Sequence, residues 1–341
     1  MRVPRLKAAV LRRRVVTAAS FIYRQRERLW MKSSASATHA QIPQESVDAY
    51  TVWEEPNRAN SHPLHIGRSG QRFSTLTGVW WLDDQTVIVN HRSGLRMAVF
   101  ELDRFEQPVW VTEIPHLTDD IAAKRVDDST WEVAVSGCFD TIYTRFEVQK
   151  DASSNDPYKA RILDVLEHTQ RDFSHGVAYD HKGQLCYGIH FGSDPRLAIG
   201  AETYRLPVPW GVRDVCYDRF QNRYIAVAVS SNPQRKSYGG VKTGLWVFSE
   251  SDPKWKCLGI YDNIHSDAVD VWQECIWIPD QVGNQLIAID AKTGAMRGIY
   301  DGQCLDFPHG LGISTNGKIA VTNYGSSSVA ILDPEKLLAL S

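Results

Sequence analysis

No stretch of this chain carries the short motifs that build nucleotide sites or elbow-type nucleophiles. G-x-S-x-G, a Walker loop, H-E-x-x-H and a G-x-G-x-x-G opening a helix are all absent, which sets nucleotide chemistry aside. Cysteine is sparse: the six residues at 138, 186, 216, 257, 275 and 304 form no C-x-x-C pair and no short zinc-ligand spacing. Cys186, Cys216 and Cys275 fall inside apolar strand patterns, where a free thiol packs as a small core residue. Reduced thiols are expected, and with them a cytoplasmic location. Long apolar runs are missing too. The stretch from Val15 to Tyr23 ends at Arg24, far short of the length needed to cross a bilayer.

What the chain has is a repeat. Asp267-Ala-Val-Asp-Val is followed by Cys275-Ile-Trp-Ile-Pro-Asp280 and then by Gln285-Leu-Ile-Ala-Ile-Asp290. His309-Gly-Leu-Gly-Ile, Lys318-Ile-Ala-Val-Thr-Asn323 and Ser328-Val-Ala-Ile-Leu-Asp333 repeat the pattern. Aligning first strands over the chain puts Thr77, Asp119, His175, Arg213, Asp267 and His309 in equivalent places, 38 to 56 residues apart. A unit of that length, made of short strands without helices, predicts an all-β fold, a six-bladed β-propeller. With 43% hydrophobic and 10% aromatic residues, the chain can bury such a core. Trp80, Trp81, Trp210, Trp272 and Trp277 are expected to fill space between blades. The last repeat lacks a fourth strand after Asp333, and the alternating run Asp48-Ala-Tyr-Thr-Val-Trp53 is its expected donor. The reading is a leader at 1–32, a polar linker at 33–47 and one propeller at 48–341.

The leader has ten Lys or Arg and one acid, Glu27, while the rest of the chain sums to minus eleven. As a helix it aligns Leu11, Val15, Ala18, Ile22 and Leu29 on one stripe. Three readings stay open: a basic amphipathic helix on an anionic membrane surface, a removable presequence, or a solvated capping helix. The acidic propeller itself is not expected to bind nucleic acid.

The heads of the innermost strands surround the channel of a propeller, so the aligned residues form a ring. Two imidazoles, two carboxylates and a guanidinium in that ring suit metal and acid–base chemistry. His175, Asp267 and His309 are expected to hold a divalent metal ion, zinc or similar, with Arg213 and Asp119 catalytic. In this reading Arg213 stabilises a developing anion, and Asp119 is a general base if burial lifts its pKa. Thr77, together with Asn90, His91 and Asn323 at the ends of second strands, would contact a small polar substrate. A ring whose salt bridges satisfy every polar group would equally well brace a channel without chemistry, and Asn323 would equally well brace its turn.

Phe307-Pro-His-Gly-Leu-Gly-Ile-Ser-Thr-Asn-Gly-Lys-Ile-Ala-Val-Thr-Asn-Tyr-Gly-Ser-Ser-Ser-Val-Ala-Ile-Leu-Asp333 resembles an NHL-type repeat, and Ser174-His-Gly-Val-Ala-Tyr-Asp-His-Lys-Gly183 is similar. The architecture is shared with gluconolactonase-like, strictosidine-synthase-like and amidating-lyase propellers. Ser266-Asp-Ala-Val-Asp270 is similar to an Asp segment of the gluconolactonase-like proteins, whose Glu, Asn and Asp surround calcium. Here Thr77 stands at the Glu place and His175 or His309 at the Asn place, a poor set for an ion that prefers six to eight oxygens. Pro308-His309 and Ser174-His175 match the zinc-holding strand heads of the amidating lyases. Asp267 replaces the third histidine, and His265 lies two residues earlier. The resemblance identifies a fold rather than an activity; the ring favours a metal-assisted hydrolase or lyase, and the alternative is a non-catalytic scaffold that docks at a membrane surface through its leader and presents its rim to a partner protein.

Overall fold

The computed structural model describes residues 37–43, 47–51, 76–92, 95–105, 107–137, 142–151, 153–154, 156–167, 173–191, 195–230 and 241–340. The basic leader at 1–32 lies outside them. Strands β1 (Thr38–Gln41) and β2 (Val47–Thr51) precede the repeats. Blade one contains β3 (Leu76–Asp83), β4 (Thr86–His91), β5 (Arg96–Glu101) and β6 (Trp110–Glu113), and blade two contains β7 (Thr118–Arg125), β8 (Thr130–Gly137), β9 (Ile142–Lys150) and β10 (Tyr158–Glu167). Blade three is built from β11 (Phe173–Tyr179), β12 (Leu185–Phe191), β13 (Arg196–Ile199) and β14 (Glu202–Arg205). In blade four β15 (Gly211–Asp218), β16 (Arg223–Val229), β17 (Lys242–Ser249) and β18 (Asp252–Asp262) follow one another. Blade five has β19 (Asp270–Trp272), β20 (Cys275–Asp280), β21 (Gln285–Asp290) and β22 (Met296–Asp301), and blade six has β23 (Pro308–Ile313), β24 (Ile319–Asn323) and β25 (Ser328–Leu332). Within each blade the neighbours pair antiparallel in chain order, giving the six-bladed β-propeller that the repeat predicts.

The ring closes through the N-terminal segment. β2 pairs antiparallel with β25 from Val47 opposite Leu332 to Thr51 opposite Ser328, and so supplies the fourth strand of blade six. β1 adds a fifth strand to blade five by pairing parallel with β22, Thr38 opposite Gly298. These residues were expected in a polar linker. They have no buried alternating face to announce a strand, and the exposed backbone edge of β22 recruits them instead. Ile42 then turns into the core between blades five and six. After β25 the chain ends in a short helix, α1 (Pro334–Leu338), whose first turn is capped by the Asp333 carboxylate.

Both faces of each blade are covered, so successive side chains of one strand serve different junctions. Ile88 faces Ile121, Val133 and Val135 of blade two, while its neighbours Val87 and Val89 pack with Ala320, Val329 and Ile331 of blade six. Six apolar clusters of this kind seal the six junctions. Tryptophans work between blades as expected: Trp81 donates its indole N–H to Gly312 O at 3.0 Å and Trp131 to Leu82 O at 2.9 Å. Trp277 is fully buried. Cys186, Cys216, Cys275 and Cys304 are buried free thiols and Cys257 an exposed one.

Candidate functional site

The innermost strands carry a common irregularity. Their ladders with the second strands slip at Leu76/Val79, Thr118/Ile121, Ser174/Val177, Val212/Asp214 and Pro308/Leu311, so Thr77, Asp119, His175, Arg213 and His309 all sit in β-bulges. A bulge leaves a residue outside the pleat and re-aims its side chain. Second strands hold these bulges open with side-chain acceptors. Asn90 Oδ1 accepts from Gly78 N, Ser136 Oγ from Asp120 N at 2.9 Å, and Thr322 Oγ1 from Gly310 N at 2.8 Å. In blade five the ladder starts only at Asp270, and Asp267 is placed by side-chain bonds: His265 N donates to Asp280 Oδ1 at 3.1 Å and Ser266 Oγ to Ala268 O at 2.8 Å.

The five charged or imidazole heads converge. His175 Nε2 lies 2.7 Å from Asp119 Oδ2 and 3.0 Å from Arg213 Nη1. Arg213 Nη1 is 3.2 Å from Asp267 Oδ1, and Gln281 Nε2 donates to Asp267 Oδ2 at 2.6 Å. His265 Nε2 sits 3.1 Å from Asp267 Oδ1. His309 stands between the carboxylates, its Nε2 3.5 Å from Asp267 Oδ2 and 3.8 Å from Asp119 Oδ1. Its ring stacks on Tyr324 at 5.6 Å and faces that of His175 at 6.2 Å, nearly parallel. Arg92 Nη1 approaches Asp119 Oδ1 at 3.5 Å.

Burial sets the protonation of this cluster. It opposes ionisation of Asp119, but His175 and Arg92 outweigh it and hold the carboxyl well below the usual range. Asp267 is likewise held down against burial, by Arg213 and His265. The lift that would make Asp119 a base is therefore absent, because the His175 ring and the Arg92 guanidinium are too close. At His309 burial prevails over both carboxylates and brings the pKa down to about 4.

The sixth head, Thr77, is fully buried, and its hydroxyl has no hydrogen-bond partner among the described residues. The same is true of Asn90 Nδ2, while Asn90 Oδ1 is spent on the bulge. His91 ends β4 opposite Leu76. Asn323 braces its turn: it accepts from Asp306 N at 3.0 Å and donates to Cys304 O at 2.7 Å and Ser328 Oγ at 3.0 Å. Arg92, Gln281 and Tyr324 each come one residue after a second strand, behind His91, Asp280 and Asn323. The strand ends Asn90-His91-Arg92 and Thr322-Asn323-Tyr324 are readable in the sequence as reaching the same mouth, and Gln281 alone was passed over; aligning its knuckle with the other two would have found it.

Among the described residues no group of three or more His, Cys, Asp or Glu is arranged to hold a metal ion. His175, Asp267 and His309 do approach one another, but Arg213 Nη1 occupies the space beside the first two with a fixed positive charge. As placed, the three do not fit a divalent ion.

No protein-family model and no curated protein matches the chain. Among solved structures, similar chains include a gluconolactonase from Xanthomonas campestris, at 10% identity over 89% of this chain and 99% of that one, TM-score 0.56. A PQQ-bound aldose sugar dehydrogenase from Streptomyces coelicolor is 12% identical over 76% and 94%, TM-score 0.53. A chain of a nidogen/laminin complex is 15% identical over 71% and 88%, TM-score 0.52. The chain is a six-bladed β-propeller. At these identities the likeness is one of fold, and the propellers that share it include enzymes and a member of a protein complex.

Proposed function

We propose that the ring is the active site of a hydrolase or lyase acting on a small polar substrate at the channel mouth. The observation that carries the reading is His309, a buried neutral imidazole lying between two ion-paired carboxylates and beyond hydrogen-bonding distance of either. An imidazole neutral at pH 7 is a base ready to take a proton, from water in hydrolysis or from carbon in elimination. Arg213 supplies positive charge for the anion that develops, the task expected of it from sequence, in a site where burial strengthens each charge. Asp119 lies against the His175 ring, and Asp267, clamped by Arg213, His265 and Gln281, keeps Arg213 in place. Thr77 Oγ1 and Asn90 Nδ2 lie buried behind the ring without a hydrogen-bond partner among the described residues.

A divalent ion on His175, Asp267 and His309 would have to displace the Arg213 guanidinium, which leaves the chemistry to the side chains themselves. The test is a panel of lactones and aryl esters, run with protein purified without chelators and analysed for metal. Turnover without a stoichiometric divalent ion, reduced at least about a hundredfold in His309→Gln, is expected. Stoichiometric zinc on the active protein, or an unaffected His309→Gln enzyme, would overturn the reading.

A further inference from the structure

We propose that this chain pairs with a second copy of itself through β10, edge to edge about a two-fold axis. The strand is the outer member of blade two, and among the described residues no strand pairs with its free side. It is also where apolar surface gathers. Ile162, Leu163, Val165 and Leu166 are 38 to 48% exposed, and they make up four of the eight large hydrophobic side chains that the described residues leave in solvent. β6, β14 and β18, which likewise end their sheets, carry one between them, Ile260. An apolar run on an open edge is a template for a further strand, and the molecule already uses such an edge where β22 takes up β1.

The charges on β10 say which strand fits. Lys159 and Arg161 lie in its first half and Asp164 and Glu167 in its second, so reversing the direction about a two-fold sets opposite signs against each other. The pairing with β9 assigns the faces: Arg161 and Asp164 stand opposite Glu147 and Arg145, whereas Ala160 and Val165 stand opposite Val148 and Thr144. Arg161 and Asp164 therefore share one face and Ala160 and Val165 the other, the bulge at Leu163 having shifted the alternation by one. With Arg161 opposite Asp164 of the second copy, two ion pairs form on one face, Ala160 meets Val165 on the other, and Ile162 and Leu163 of both copies meet at the axis. The contact of Arg161 with Glu147 at 3.0 Å does not bar this, because an exposed pair of that kind is worth little. A neutral apolar strand would leave the four charges unanswered, so the edge selects its own sequence.

The test is sedimentation equilibrium of the full chain at low salt, from about 1 to 100 μM. Wild type is expected to dimerise. Arg161→Asp and Asp164→Arg each set like charges across the axis and should each weaken the dimer by about tenfold or more, whereas an equimolar mixture of the two should associate as wild type does. Ile162→Lys should leave a monomer. These side chains are on the surface, so thermal midpoints close to that of wild type are expected and show that the fold is intact. A wild type that stays monomeric throughout, or a dimer that none of the substitutions disturbs, overturns the proposal, and a mixture that remains monomeric overturns the pairing of Arg161 with Asp164. None of these outcomes touches the catalytic reading of the ring, which lies at the other end of the blade.

Discussion

At His309 two carboxylates within 4 Å would ordinarily favour the imidazolium, yet burial wins and leaves the ring neutral down to about pH 4. That ordering fixes the sign of a pH experiment. A base must be unprotonated, so kcat/KM is expected to stay level as pH falls through the ordinary histidine range and to decline only near pH 4. An acid limb near pH 6.5 would show that the working base is some other group. The residues of this cluster were partly legible in the sequence, because five of the six strand heads are charged or imidazole where repeats align, and alignment alone places them on one ring. Arg92 and Tyr324 showed only as the ends of second strands, and Gln281 was missed, a single residue behind Asp280 whose reach to Asp267 is a matter of packing. The ionisation of Asp119 was also hidden: burial is visible in an apolar strand, but the 2.7 Å approach of His175 is a product of three-dimensional packing.

At the scale of the strand, the bulges decide which side chains reach the channel and how near the blades come. A methyl group added at Gly176 would overlap the Asp214 carboxylate and Cα of the next blade, and one at Gly310 would overlap Thr77 O. Gly176→Ala is therefore expected to destabilise the fold by about 1 to 3 kcal/mol, read from urea unfolding, and a neutral result would mean that the blades do not approach this closely. Three other junctions use carboxylates in place of close approach. Asp120 Oδ2 accepts from Val177 N at 2.9 Å, Asp214 Oδ2 from Val269 N at 2.8 Å and Asp270 Oδ2 from Ile313 N at 2.7 Å, each bonding the following blade. Burial raises all three against these bonds, Asp120 to about 7 and Asp270 to about 6. An acid raised in the folded state binds a proton there that the unfolded chain, titrating near 3.8, does not. Stability should rise as pH falls from 8 toward 6.5, by at most about 1.4 kcal/mol per pH unit for each proton taken up. His309 opposes this trend only below 6.5, its unfolded value. Asp120→Asn should flatten the slope of the urea midpoint in that window, and an unchanged slope would assign the proton to another group. The strands themselves were legible from their alternation. The bulges were not, because an extra residue leaves the hydrophobic pattern almost intact.

For the whole molecule the question is how a ring of six sheets is held shut. Blade six takes three strands from the C-terminal end of the chain and one, β2, from the N-terminal side, so five paired positions join segments almost three hundred residues apart in sequence. β1 plays a lesser part, since blade five already has four strands without it. Both additions lie on outer edges, but only β2 completes a blade, and its sequence showed this because an alternating run stood where the last repeat was one strand short. The two should separate by truncation. Removing residues 1–41 exposes the edge of β22 and takes away a short, mostly exposed strand, which is expected to lower the unfolding midpoint by only a few degrees. Removing residues 1–51 also strips β25 of its partner and uncovers the apolar junction formed by Val47, Ala330 and Leu332. That loss spans both the ladder and the core beneath it, and a midpoint lower by about 10 °C or more, with a tendency to associate through the bared edge, is the expected result. Equal midpoints for the two truncations would mean that the ring is closed by the packing of blades one and six alone, with Trp81 and the cluster around Val79 and Ala320 sufficient to hold it.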